Sequence, residues 1–107
     1  MRKNTAMLER EWQSQVIDLA QAHGWLYFHT SPKQVRKGAW RSDGKGFPDL
    51  VLAHWKHGVI FAELKSDTGR LSDAQKEWAV TVVNHVTYRV WRPKDFEEVV
   101  ETLQGKK

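Results

Sequence analysis

Charged residues seldom sit within apolar strands, yet three do so between Gly46 and Lys65. This stretch reads Gly46-Phe47-Pro48-Asp49, Leu50-Val51-Leu52-Ala53-His54, a polar break at Lys56-His57-Gly58, Val59-Ile60-Phe61-Ala62 and then Glu63-Leu64-Lys65. Both apolar runs have strand length and the break has turn composition, so the spacing predicts an antiparallel hairpin. Folded near residue 56 or 57, that hairpin sets Asp49 opposite Glu63 or Leu64. Side chains alternate along a strand, so Glu63 and Lys65 share a face while Leu64 points the other way. Asp49, Glu63 and Lys65 then converge at one end. Two carboxylates at close range repel unless they share a proton or a cation. A hard divalent ion such as Mg²⁺, which takes oxygen ligands and keeps several waters, is the partner that this pattern calls for.

The rest of the chain limits what that end of the hairpin belongs to. With 107 residues there is material for one domain and one core. Six Trp and 40% hydrophobic residues place the chain among folded proteins. The absence of cysteine excludes disulfide scaffolds and thiolate metal sites and fits a reducing compartment. No apolar run approaches the roughly 20 residues of a membrane span, and the start lacks a signal peptide's apolar core. The five His residues show no zinc-type spacing. Seventeen Lys and Arg against thirteen Asp and Glu leave a formal charge of +4, a lean towards polyanions that decides nothing alone.

Residues 5 to 23 read as the first helix, with Leu8, Trp12, Val16, Leu19 and Ala20 on one stripe and Gly24 as its stop. With Leu8 at zero, Glu9 falls at about 100°, inside an apolar arc of roughly 120°, and Glu11 at about 300°, outside it. Glu9 is therefore either a carboxylate aimed at the same site as Asp49 and Glu63 or a first-turn acid favoured by the helix dipole. Trp25 to His29 reads as a strand, with His29 a site residue or a polar terminus. Residues 30 to 46 read as one long connection, rich in Lys33, Arg36, Lys37, Arg41 and Lys45 around Trp40. Long connections in compact domains are usually functional or mobile. Basic residues interleaved with an aromatic ring suit phosphate neutralisation and base stacking, so this segment is the candidate DNA contact. The bland reading is a solvated loop anchored by Trp40. Ser72 with Gln75 three positions on forms a capping box for a second helix. A strand over Val86–Trp91 and a helix over Asp95–Leu103 complete the order αβββαβα, an α/β sandwich on a mixed sheet.

Pro48-Asp49, the 13 residues 50 to 62, and Glu63-Leu64-Lys65 resemble the core motif of the PD-(D/E)xK nuclease superfamily. The helix Glu9 to Ile17, Gly24-Trp25, Gly46 to Val51, Phe61 to Lys65, Gly69-Arg70-Leu71-Ser72 with Gln75, and Val90-Trp91-Arg92-Pro93 extend the likeness. Together they resemble the VRR-NUC family, in its compact single-domain phage and bacterial form, over a core of about residues 8 to 103 within a single domain spanning 1–107. The resemblance implies a restriction-endonuclease-like fold and a divalent-metal-dependent DNA endonuclease. Glu9, Asp49, Glu63 and the Leu64 backbone carbonyl would hold Mg²⁺ or Mn²⁺, Lys65 would assist the attacking water, and Gln75 would stand beside the site. It further implies branched DNA such as a Holliday junction as substrate, a homodimer, and the cytoplasm of a bacterial or phage-infected cell.

Two other classes are open. A non-catalytic DNA-binding module on the same fold would be expected to lose Asp, Glu or Lys of the motif, and all three are present. An interaction domain in which Asp49, Glu63 and Lys65 form a structural ion pair would leave the basic segment and Glu9 as coincidences. No phosphate-binding Gly-rich loop is present, so no nucleotide cofactor is implied.

Overall fold

The structure is a computed structural model. It describes residues 8–30, 33–36, 39–41 and 44–106, with the backbone alone for 33–36 and 39–41. Helix α1 covers Glu9–Ala22 and buries Trp12, Val16 and Ala20, three of the five positions of the predicted stripe. Leu8 precedes the helix and is exposed, and Gly24, at φ +84°, lets the chain leave it. Strand β1 (Leu26–His29) follows, then a short pair, β2 (Lys33–Arg36) and β3 (Ala39–Arg41). Strands β4 (Leu50–His54) and β5 (Gly58–Leu64), helix α2 (Asp73–Val82) and strand β6 (Thr87–Trp91) come next. A 3₁₀ turn at Pro93–Asp95 leads into helix α3 (Phe96–Leu103).

Four strands form one sheet in the order β1-β4-β5-β6. The β1–β4 and β4–β5 pairs are antiparallel and β5–β6 is parallel. A parallel neighbour needs a crossover, and α2 supplies it. The mixed α/β sandwich expected from the sequence is therefore the fold observed. The segment read as one long connection differs: β2 and β3 pair antiparallel as a separate two-stranded unit, with Lys33 opposite Arg41 and Gln34 opposite Trp40. Val35 and Trp40 have the β-branched and aromatic character that favours such pairing.

One face of the sheet is dry. Leu50, Leu52, Ile60, Ala62, Leu64 and Trp91 all point into a core shared with Trp12, Val16 and Ala20 of α1 and Val99 and Leu103 of α3. Two indoles tie this layer to the backbone: Trp12 Nε1 donates to the Trp91 carbonyl and Trp25 Nε1 to the Leu103 carbonyl, each at 2.9 Å. The opposite face, carrying Phe61 and Glu63, is covered by α2, which has no fully buried residue. Phe47 bridges the two, with ring centroids 5.2 Å from Phe61 and 4.9 Å from Trp78.

Gly46 shows how closely α2 is seated. It has φ +85°, and a Cβ there would lie 2.6 Å from the Ala74 carbonyl oxygen and 2.7 Å from its Cβ. Gly58 has a similar φ of +91° with nothing within 4 Å. Gly58→Ala should therefore cost only the left-handed backbone penalty of about 1–2 kcal/mol, and Gly46→Ala distinctly more, by urea denaturation. Equal losses would show that the approach of Gly46 to α2 contributes nothing to stability.

Candidate active site

With Leu50 opposite Ala62 in the β4–β5 ladder, Asp49 falls opposite Glu63, the first of the two registers that the spacing allows. The Pro48-Asp49 segment is pinned from the other side by Thr30. Its amide donates to the Asp49 carbonyl and its hydroxyl to the Pro48 carbonyl, each at 2.8 Å. His29, exposed and opposite Leu50, faces away from Asp49 as a polar strand terminus. Asp49 Oδ2 accepts the Leu64 amide at 2.9 Å, so this carboxylate is oriented by backbone before any ligand arrives.

Glu63 is buried, at 1% exposure. Its Oε2 accepts the Gln75 side-chain amide at 2.8 Å. Its Oε1 is buried without a hydrogen-bond partner. Burial, then the charge of Asp49 and a hydrogen bond with the Asp49 carboxyl, push the Glu63 carboxyl up to about 8; the Lys65 ammonium opposes this and Glu9 adds to it. The expected convergence is thus present: Asp49, Glu63 and Lys65 share one electrostatic neighbourhood, and Glu9 reaches it from α1. Glu11 is differently employed, accepting the Leu8 amide on Oε1 at 3.2 Å as a helix cap.

Gln75 holds both positions considered for it. Its backbone amide donates to Ser72 Oγ at 3.1 Å and its Oε1 accepts the Ser72 amide at 2.7 Å, closing the capping box. Its Nε2 remains free to hold Glu63. Tyr88 on β6 escaped the sequence reading, where it was only a member of an alternating strand. It lies opposite Phe61, on the Glu63 side of the sheet, with a buried hydroxyl that has no partner. Burial first, then the charges of Glu63 and Asp49, push that phenol up to about 12. Once the parallel register is known, strand alternation places it there; the sequence alone offers no register between β5 and β6.

The candidate DNA contacts are placed in part. Lys45 has an exposed side chain, while its carbonyl accepts Trp78 Nε1 at 3.0 Å. Lys33, Arg36, Trp40 and Arg41 lie on β2 and β3 with only their backbone described, and Lys37 lies outside the described residues.

A hard cation suits the donors present. The Asp49–Glu63 pair is all oxygen, and the unpartnered Glu63 Oε1 is a buried acceptor in want of a positive or hydrogen-bonding neighbour. Among the described residues no three acidic, His or Cys side chains close on a single point. The site is thus a carboxylate pair, with Glu9 in electrostatic reach rather than gathered beside it.

A charged hairpin end on a mixed sheet, capped by one thin helix layer, is the arrangement of a nuclease-like α/β sandwich. The model of the VRR-NUC domain matches residues 9–95, and the chain belongs to that family. Membership makes it a nuclease-like, DNA-processing module. No curated protein and no solved structure matches the chain.

The raised Glu63 carboxyl has a stability consequence. The unfolded chain releases this proton near the ordinary value of 4.5, the folded chain only near 8. In EDTA, stability should be highest below about pH 4.5 on this account and fall as pH rises to about 8. Glu63→Gln, which keeps an oxygen for Gln75, should melt higher than the parent at pH 8 by the equivalent of about 1–3 kcal/mol. Parallel melting curves from pH 5 to 8 would remove the strain ascribed to this carboxylate.

Proposed function

We propose that the protein is a divalent-metal-dependent DNA endonuclease that hydrolyses phosphodiester bonds at Asp49, Glu63 and Lys65. The observation that carries this reading is the buried Glu63 carboxyl held beside Asp49: with both groups ionised, Glu63 Oε1 has no donor, and the pair must share a proton or a cation.

Asp49, Glu63 and the Leu64 carbonyl would hold Mg²⁺ or Mn²⁺, with Glu9 supporting from α1. When bound, the ion supplies Lewis acidity and lowers the pKa of a coordinated water. Gln75 holds Glu63 Oε2 and so keeps Oε1 turned to the site. Lys65, on the same face as Glu63, orients the attacking water or offsets charge that develops on the phosphate. Lys33, Arg36, Lys37, Arg41 and Lys45 draw the DNA backbone in, and Trp40 offers a stacking surface.

The substrate that suits this module is branched DNA such as a Holliday junction, where two incisions in symmetric register require two copies. Support for a homodimer comes from β1. It is an edge strand among the described residues, and Leu26 and Phe28 project exposed from the less covered face of the sheet. Among exposed tryptophans Trp55 is the other candidate, while α3 spends Val99 and Leu103 on the core.

Cleavage of junction, flap, single-stranded and duplex DNA with Mg²⁺ or Mn²⁺ tests the reading. Asp49→Asn and Glu63→Gln should each lose roughly 10²–10³-fold or more in rate. Full activity in either would sink the assignment, and DNA binding without cleavage by the parent would favour the non-catalytic module. Gln75→Ala should lose about 10–100-fold as a change one step removed from the ion, and Glu9→Ala should cost more than Glu11→Ala.

Binding has its own test. Neutralising Lys33, Arg36, Lys37 and Arg41 together should flatten the salt dependence of DNA affinity by about 0.9 per lost phosphate contact. An unchanged slope would remove the β2–β3 unit from the interface.

A further inference from the structure

The loop that follows Lys65 is bound down more firmly than its length requires. Arg92 Nη1 donates to the Ser66 carbonyl at 2.6 Å and to the Gly69 carbonyl at 2.7 Å. The Lys94 amide donates to Asp67 Oδ1 at 3.0 Å, and the Gly69 amide closes the turn on the Ser66 carbonyl at 3.3 Å. Lys65 itself is held at the root, its amide donating to the Trp91 carbonyl at 3.1 Å.

Gly69 is the informative residue. It is not among the glycines with positive φ, so no special backbone conformation explains it. A Cβ there would lie 3.4 Å from Lys65 Cδ and 3.1 Å from Ser66 Oγ. The Gly69 position therefore lies beside the Lys65 stem, close enough that a side chain there would touch it. A lysine stem is flexible and its ammonium has no directional fork of its own, so packing must restrict it if it is to act at one point.

We propose that Arg92 is a positioning residue for Lys65: its fork onto Ser66 and Gly69 fixes the loop backbone that confines the Lys65 stem, and so sets where the ammonium sits. Guanidinium bonds to carbonyls are charge-assisted, which makes them stronger than neutral hydrogen bonds. The inference rests on the role given to Lys65 above, and its test separates the two.

The first readout needs no activity. The Lys65 ε-methylene signal in a ¹³C spectrum, identified by its loss in Lys65→Met, should stand apart from those of exposed lysines. Arg92→Gln should bring it to the exposed position, Gly69→Ala should move it with Arg92 intact, and Arg92→Lys should restore most of it. The second readout is cleavage: Arg92→Gln should lower kcat roughly 10²-fold with KM little changed, as misplacement rather than lost binding predicts. A Lys65 signal unmoved by Arg92→Gln overturns the proposal, whatever Gly69→Ala does. If Arg92→Gln fails to fold, Arg92→Met, which keeps an apolar stem and removes the guanidinium, decides on the same signal. A parent protein that cuts no DNA would fail the nuclease reading, and the spectrum would still decide whether Arg92 holds Lys65.

Discussion

The register of the β4–β5 ladder is the constraint on which the site depends. Side chains alternate, so a slip of one residue would carry Asp49 and Glu63 to opposite faces and turn one strand's apolar set, Leu50 with Leu52 or Ile60 with Ala62, out of the core. The buried alternation of those residues makes such a slip costly. At the far end the turn adds its own specification: His54 Nδ1 accepts the amides of Lys56 and His57 at 3.0 and 3.3 Å, and Gly58 takes the positive φ. The apolar residues that alternate with the carboxylates along both strands thus decide which two carboxylates meet. The chemistry at one end of the hairpin is a by-product of packing along its length.

Helix α2 covers Glu63 without laying a second dry core on the sheet, whereas an open face would leave Phe61 and Phe47 in water. The helix instead touches the sheet at a few places: Gly46 beneath Ala74, Trp78 on Phe47 and on the Lys45 carbonyl, and Gln75 on Glu63. Gln75 joins two tasks in one side chain, because its carbonyl oxygen caps the helix while its amide nitrogen reaches the carboxylate. The helix start and the Glu63 rotamer are consequently set by the same residue. The strained carboxylate that results is tolerated because α1 and α3 stabilise the other face.

Much of this was legible because it rests on periodicity. The stripe through Trp12, Val16 and Ala20, the apolar alternation of the central hairpin and the Ser72–Gln75 box each express a local rule with a fixed spacing. The Glu9–Glu11 choice was a matter of 200° around a helix, and the structure gives the two acids different neighbours. What escaped reading is what depends on non-local register. Tyr88 joins the carboxylates only through the β5–β6 pairing, which no spacing announces. Arg92 reaches Ser66 and Gly69 across 26 and 23 residues, and nothing in either segment states that they touch. The β2–β3 pair was hidden for another reason: its strands are short and basic, and their charge drew attention before their alternation did.

The Trp91 carbonyl shows why such distant contacts belong to the site rather than to the scaffold alone. It accepts two donors, the Trp12 indole from α1 and the Lys65 amide from the end of β5. One acceptor therefore joins the helix that carries Glu9 to the residue that carries the ammonium. Arg92, the next residue, holds the loop beyond Lys65. Trp91 thus holds the Lys65 backbone and Arg92 the loop that follows it, while Trp91 itself is buried in the dry core. The Asp49–Glu63 pair, with Gln75 beside it, is thus backed by a strand that contributes no carboxylate.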